Sequence, residues 1–158
     1  NSVFWLGKNN VAKKKFWFEL KKIVDKEYDL DLSGANKKIS NLMNHTLGKN
    51  KRFKANIKNF NLITLKSKKL IFDNFENINF GTFIEINLND INHLQKYTSE
   101  KLQTVTYYGT DFKSIKKFII NNKIKGIDRI VPIGRAFDLT PEWDGVDIIS
   151  TLSRTIGV

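Results

Sequence analysis

Between residues 80 and 145, three short apolar runs alternate with two amphipathic helical patterns. The runs are Phe83 to Leu88, Gln103 to Tyr108 and Arg129 to Ile133, and each has the length of a strand. Asp90 and Asp111 stand directly before the helical patterns, where a side chain caps a helix. Strands that alternate with helices form parallel sheets with helical crossovers. The sequence therefore predicts an α/β fold with a mostly parallel sheet and a βαβαβ core.

The first part of the chain adds a strand and two helices to this core. Ser2 to Leu6 reads as a short strand, and the helix after it begins at Asn9 or Asn10 and reaches about Tyr28. A second helix, Gly34 to Leu47, is predicted with Ser33 as its N-cap. The apolar face predicted for this second helix consists of Ile39, Leu42, Met43 and Leu47.

A small β-hairpin and an apolar tail complete the predicted organisation. The hairpin joins Asn61 to Leu65 with Lys69 to Phe72 through a polar turn at residues 66–68. Pro141 to Gly145 reads as a loop, and the apolar spacing from Ile148 to Ile156 predicts a helix. No later element covers that last stripe, so we expect it to pack back on the sheet or to contact another subunit.

The net charge of +11 at pH 7 admits two interpretations. Only four of the 27 basic residues are arginines, whereas base readers and phosphate clamps depend on the bidentate fork of arginine. We therefore interpret the lysines as a solvated surface. The alternative is a nucleic-acid-binding module, in which Lys49 to Lys54 and the lysines of the first helix would line a groove.

The residue inventory excludes several kinds of chemistry within this sequence. It contains no cysteine, which excludes disulfides, thiolate metal sites and a cysteine nucleophile. Its two histidines, His45 and His93, lie far apart, so neither a histidine metal site nor a Ser-His-Asp triad is predicted. No apolar run approaches the ~20 residues needed to cross a bilayer.

Two arginines and a tryptophan lie at the last predicted strand or after it: Arg129 begins the strand, and Arg135 and Trp143 follow it. An arginine at a buried strand end needs a partner, and the acidic side chains from Asp138 onward lie close in sequence to Arg129 and Arg135. A structural ion pair is the first expectation, and a phosphate or carboxylate clamp is the second. Trp143 is either a core anchor or the wall of a ligand pocket.

Four segments, taken in order, resemble the acyl-CoA reductases of the bioluminescence type, which are relatives of the aldehyde dehydrogenase superfamily. These segments are Phe80-Gly81-Thr82-Phe83, Glu100 to Gly109, Asp128 to Gly134, and Trp143-Asp144-Gly145. The similarity extends over the whole chain and is strongest from Phe80 onward. The order of the motifs is more specific than any one of them.

The resemblance implies a reaction and a cofactor. In this family a cysteine thiolate attacks a fatty acyl thioester, and a hydride from NADPH reduces the acyl-enzyme to an aldehyde. The sequence holds no cysteine, so we expect the nucleophile and the dinucleotide-binding half to lie upstream of Asn1. The chain would then be the C-terminal part of the enzyme and inactive alone. Residues 1–145 would belong to the catalytic domain, and residues 146–158 would form a tail for subunit contact.

The resemblance also assigns candidate site residues. Phe80, Gly81 and Thr82 would bind the cofactor, with Phe80 as a wall of the nicotinamide site. Classical aldehyde dehydrogenases carry a ribose-binding glutamate two residues before a Phe-Gly pair, and this sequence has Ile78 at that position, so the glutamate role is not carried over. The acyl thioester side is assigned to a second set of residues, namely Pro132, Gly134, Arg135 and Trp143.

The expected partners follow from the same resemblance. They are the upstream half of the enzyme, a thioester of CoA or of acyl carrier protein, and a further copy of the chain. The positive charge suits the phosphates of CoA or the acidic surface of a carrier protein. The enzyme is expected in the cytoplasm. A non-catalytic subunit that completes an active site with a separate partner is the remaining alternative.

Overall fold

The computed structural model describes residues 1–47, 53–57, 59–66, 79–100, 102–154 and 156. They belong to two compact units, Asn1–Asp90 and Ile91–Val158. Each unit contains strands and helices, and parallel strand pairs predominate. The predicted α/β class with a mostly parallel sheet is confirmed. The predicted division at residue 145 stays a prediction.

The first unit is built on a four-stranded sheet. Its strands are β1 (Ser2–Leu6), β2 (Lys54–Ile57), β3 (Ile63–Lys66) and β4 (Thr82–Leu88), in the spatial order β1-β4-β3-β2. Strand β4 is parallel to β1 and β3, whereas β2 is antiparallel to β3. The two central strands provide much of the core, because Ile63, Leu65, Ile84, Ile86 and Leu88 are all buried.

Helices α1 (Asn10–Glu27) and α2 (Leu32–Thr46) belong to this unit. The Asn9 side chain accepts a hydrogen bond from the Ala12 amide at 2.9 Å, which is the predicted N-cap. The predicted cap of α2 is wrong by two residues. Asp31, not Ser33, accepts from the Gly34 amide at 2.7 Å, because the carboxylate one turn earlier reaches that N–H.

The predicted apolar face of α2 is also partly wrong. Ile39, Met43 and Leu47 are exposed, whereas Gly34 and Lys38 are the buried residues of the helix. The helix therefore presents a different face to the sheet, one that carries a lysine.

The apolar spacing of α1 predicts a buried stripe of Val11, Phe16, Leu20, Ile23 and Val24, and this is only partly confirmed. Val24 is buried, but Val11 and Ile23 are exposed. The other buried residue is Trp17, which packs edge-on against Trp5.

The predicted hairpin is wrong in its pairing. Strand β3 is a central strand between β2 and β4, and its antiparallel partner is Lys54–Ile57. Lys54 was assigned to a basic loop from the sequence. Residues 62–65 are all buried, Thr64 included, which suits a strand in the interior of a sheet that is shielded from water. The predicted second strand, residues 69–72, lies outside the described residues.

The second unit contains a parallel strand pair with a helical crossover. Strands β5 (Thr104–Tyr107) and β6 (Arg129–Pro132) are joined through α3 (Phe112–Asn121). Helix α3 buries Ile115 and Phe118, as its apolar spacing predicts. A 3₁₀ helix, Ile91–Tyr97, stands where the first helical pattern is predicted.

The predicted βαβαβ core is confirmed only in its second half. Strand β4 pairs with β1 and β3, and β5 pairs with β6 in a separate sheet. The physical reason is that the hydrogen-bonding groups on both edges of β4 are already used by β1 and β3. No edge of β4 remains for β5.

The C-terminal part forms a second hairpin. Strands β7 (Glu142–Trp143) and β8 (Val146–Asp147) are antiparallel, and α4 (Ile148–Leu152) follows them. The predicted loop at residues 141–145 is therefore wrong. Asp144 and Gly145 both have positive φ, 50° and 76°, as a two-residue type I′ turn requires. The predicted tail helix is shorter than expected and ends at Leu152.

Within the residues the structure describes, no helix has both the length and the apolar character needed to cross a bilayer.

Candidate functional site

The predicted cofactor residues form a tight turn at the start of β4. The Thr82 amide donates to the Asn79 carbonyl at 3.2 Å, which closes a four-residue turn. Phe80 and Gly81 are its central residues, with φ of 57° and 69°. Positive φ at both positions defines a type I′ turn, and phenylalanine is strained there. A strained non-glycine residue persists only where its surroundings hold it.

Two contacts fix this turn to the sheet and the helix beneath it. The Gly81 carbonyl accepts from the Ile63 amide at 3.1 Å, so the turn is tied to the first residue of β3. A Cβ on Gly81 would overlap the backbone oxygen of Asn61. The Phe80 ring would lie 3.3 Å from a Cβ placed on Gly34 of α2. Glycine is therefore required at position 81, where the chain approaches the backbone of its neighbour.

Lys38 stabilises the strained residue Phe80 through a hydrogen bond. Its Nζ donates to the Phe80 carbonyl at 2.6 Å and lies 5.4 Å from the centre of the Phe60 ring. The residue is only 2% exposed, and no carboxylate in the described part of the chain pairs with it. Burial lowers the pKa of Lys38 to about 8. At neutral pH the side chain is therefore still mostly an ammonium ion.

A small pocket opens beside Lys38. Its volume is about 10 Å³, enough for one water-sized group. The residues that line it are Lys38, Asn41, Leu42, His45, Leu65, Asn79 and Thr82. His45 is half-buried here and packs edge-on against Phe53, with the ring centres 5.8 Å apart.

The predicted substrate residues lie in the second unit. Pro132, Ile133, Gly134 and Arg135 form a turn at the end of β6, in which the Arg135 amide donates to the Pro132 carbonyl at 3.1 Å. Gly134 has φ of 87°, as the third residue of a type II turn requires. Arg135 pairs with Asp138 at 3.2 Å, and both side chains are more than half exposed. The first expectation for Arg135, an ion pair, is confirmed.

Arg129 connects β6 to the segment that follows it, and we call this set of contacts the Arg129 brace. Its guanidinium donates to the carbonyls of Ala136, at 2.7 Å, and of Asp138. Its Cζ lies 4.8 Å from the centre of the Trp143 ring. The predicted carboxylate partner of Arg129 is therefore replaced by two backbone oxygens and an aromatic face. Trp143 is half-buried on β7 and serves as that face.

The structure thus gathers the candidates into two sets, one in each unit. Phe80, Gly81 and Thr82 share the turn above Lys38, while Pro132, Gly134 and Arg135 share the turn after β6. The sequence prediction missed Lys38. Its position four residues before Leu42 places both on one helix face, but its carbonyl partner is 42 residues away.

Metal-binding clusters and the predicted basic groove are the other binding features to consider in the described part of the chain. Among the residues with described positions, no cluster of three or more acidic or histidine side chains is arranged to hold a metal. Four residues of the predicted basic groove, 49–52, lie outside the described ranges. A comparison with protein-family models gives no match. A comparison with curated proteins gives no match either.

Proposed function

We propose that this chain is the C-terminal segment of an NADPH-dependent fatty acyl thioester reductase that forms an aldehyde through a cysteine acyl-enzyme. The nucleophile and the dinucleotide-binding half would belong to upstream sequence. The proposal rests on the ordered motifs that resemble the bioluminescence-type reductases. The alternating strands and helices with a mostly parallel sheet agree with it.

The observation that carries the proposal is the turn at Phe80. An aromatic ring that packs along a nicotinamide must be presented at a fixed angle, because hydride transfer depends on orientation. Here a strained φ at Phe80, a required glycine at position 81 and the hydrogen bond from Lys38 leave the turn little freedom. A turn that served only to reverse the chain would not need phenylalanine in the left-handed region.

The proposed roles follow from these contacts. Phe80 would form one wall of the nicotinamide site. Gly81 and Thr82 would fix the position at which β4 begins and thereby the position of Phe80. Pro132, Gly134, Arg135 and Trp143 would border the path of the acyl thioester. When bound, NADPH supplies the hydride. The chain's own contribution is to orient the reacting groups and to keep water from the acyl-enzyme.

The direct test is to express the chain joined to its upstream sequence, through the nearest cysteine and the dinucleotide-binding domain. We expect this protein to convert a long-chain acyl-CoA and NADPH into aldehyde, free CoA and NADP⁺, whereas the 158-residue chain alone gives no aldehyde. If the extended protein folds but consumes no NADPH with any acyl thioester, the proposal is wrong.

A variant pair tests the role of Phe80 in the extended protein. Phe80→Leu should raise the KM for NADPH by roughly two- to tenfold, since an aromatic contact contributes about 0.5–1.5 kcal/mol. Phe137→Leu removes a phenylalanine that is 91% exposed and should leave that KM unchanged. Thermal unfolding of both variants separates loss of the contact from loss of the fold. Equal KM values for the two variants would remove Phe80 from the cofactor site.

A further inference from the structure

Lys38 is a buried positive charge for which the described part of the chain provides no counter-charge. Its one hydrogen-bond partner in the described part of the chain is a neutral carbonyl, that of Phe80. An ammonium carries three N–H donors, so two remain after this bond is made. Proteins rarely bury a charge unless an opposite charge or a ligand compensates for it. The burial of Lys38 at 2% exposure therefore calls for a negative partner.

The surroundings of Lys38 are arranged for such a partner. The pocket it lines contains the side chains of Asn41, Asn79 and Thr82, which can donate hydrogen bonds through amide or hydroxyl groups. Among the described residues that line the pocket, His45 is the other titratable side chain and none is acidic. Strands β3 and β4 contribute Leu65 and Thr82, neither of which carries a charge.

The size of the pocket restricts what can enter it. A volume of about 10 Å³ holds one water-sized group. A ring or an alkyl chain is too large, whereas a single oxygen of a phosphate or a carboxylate fits. The rest of such a ligand would lie outside the pocket, toward solvent.

We propose that the Lys38 pocket is an oxyanion subsite that takes one charged oxygen of a phosphate or carboxylate group. The bound oxygen supplies the counter-charge of the Lys38 ammonium and lies beside the polar side chains of Asn79 and Thr82. Because Lys38 also holds the Phe80 carbonyl, an occupied subsite stabilises the strained turn. This inference does not require the reductase function, and it is tested on the 158-residue chain by binding alone.

The test is thermal unfolding at pH 7 and constant ionic strength, with chloride replaced stepwise by inorganic phosphate or by acetate. At ten times the dissociation constant, we expect the Tm of the wild-type chain to rise by about 3 °C. Adenosine 5′-monophosphate, at the same ionic strength, distinguishes a free inorganic ion from the phosphate of a larger ligand. A lower dissociation constant for the nucleotide than for inorganic phosphate assigns the subsite to a larger ligand.

Two lysine variants provide the comparison. Lys38→Met keeps the length of the side chain and removes the charge, and it should abolish the anion-dependent rise. Lys37→Met removes the adjacent lysine of α2, which is exposed, and should leave the rise intact. Phosphate also stabilises folded proteins without binding to a site. An equal rise in the wild type and in both variants would therefore overturn the proposal, as would no rise in the wild type.

A second measurement needs no variant and so does not depend on the folding of Lys38→Met. Acetate remains ionised between pH 7 and pH 9.5, while Lys38 loses its charge as the pH passes about 8. The acetate-dependent rise in Tm should therefore disappear across this range. A rise that persists unchanged to pH 9.5 contradicts the assignment to Lys38.

Discussion

Gly81 is the residue whose replacement the structure forbids most clearly. Its φ of 69° costs an L-residue about 1–2 kcal/mol, and a Cβ would in addition overlap the Asn61 backbone oxygen. Gly81→Ala should therefore lower the free energy of unfolding by about 3 kcal/mol or more. Gly7→Ala is the matched control, because Gly7 has φ of 80° and open space around it. Urea unfolding measures both, and equal losses would mean that the overlap is relieved.

Lys38 makes stability depend on pH in a definite direction. Its pKa is about 8 in the folded chain, below the ordinary 10.5 of the unfolded chain. Below pH 8 both states are protonated and the full penalty of the buried charge is present. Between pH 8 and pH 10.5 the unfolded state binds more protons, so the free energy of unfolding rises with pH. The difference between wild type and Lys38→Met, measured by urea unfolding, should show this rise, and a difference that is flat or falling would contradict it.

At the scale of elements, Arg129 joins β6 to the segment after it and to the hairpin of β7 and β8. Arg129→Lys cannot donate in a planar fork to two carbonyls and also cover the Trp143 ring. We expect it to lower the free energy of unfolding by about 1–3 kcal/mol. Arg135→Lys changes an exposed ion pair and should lower it by less than about 1 kcal/mol. The same loss in both variants would show that the brace contributes little.

The same scale shows what the sequence determines about the fold. Local signals place β1, α1, β5 and β6 within one or two residues, because apolar spacing and capping groups are properties of short segments. The end of α3 is predicted less well, since the helix ends at Asn121 and not at Gly126. Pairing between strands is not local. Strand β4 does not pair with β5 because both edges of β4 are paired with β1 and β3. No pattern within residues 80–145 contains that information.

The candidate site likewise contains one feature that the local sequence predicts and one that only the tertiary fold determines. The Asp144-Gly145 pair is a recognised signal for a type I′ hairpin, so β7 and β8 were predictable from the sequence, although the segment reads as a loop. The contact between Lys38 and Phe80 was not predictable. A lysine among the polar residues of a helix reads as exposed, and its burial follows only from the face that α2 presents to the sheet.

At the scale of the whole molecule, the proposed function implies that the net charge of +11 promotes encounter with an acidic substrate carrier. In the extended protein, kcat/KM for an acyl group on acyl carrier protein should fall by about tenfold between 50 and 300 mM salt, because screening shortens the range of attraction.

Lys113, Lys116 and Lys117 are exposed on α3 and are candidates for this attraction. Their replacement by glutamine should reduce the salt dependence and leave kcat unchanged. Steady-state rates measured with the acyl carrier protein substrate and with acyl-CoA provide the check, since acyl-CoA presents a far smaller acidic surface. A salt dependence that is the same for both substrates, or unchanged in the triple variant, would mean that the lysines are a solvated surface with no part in recognition.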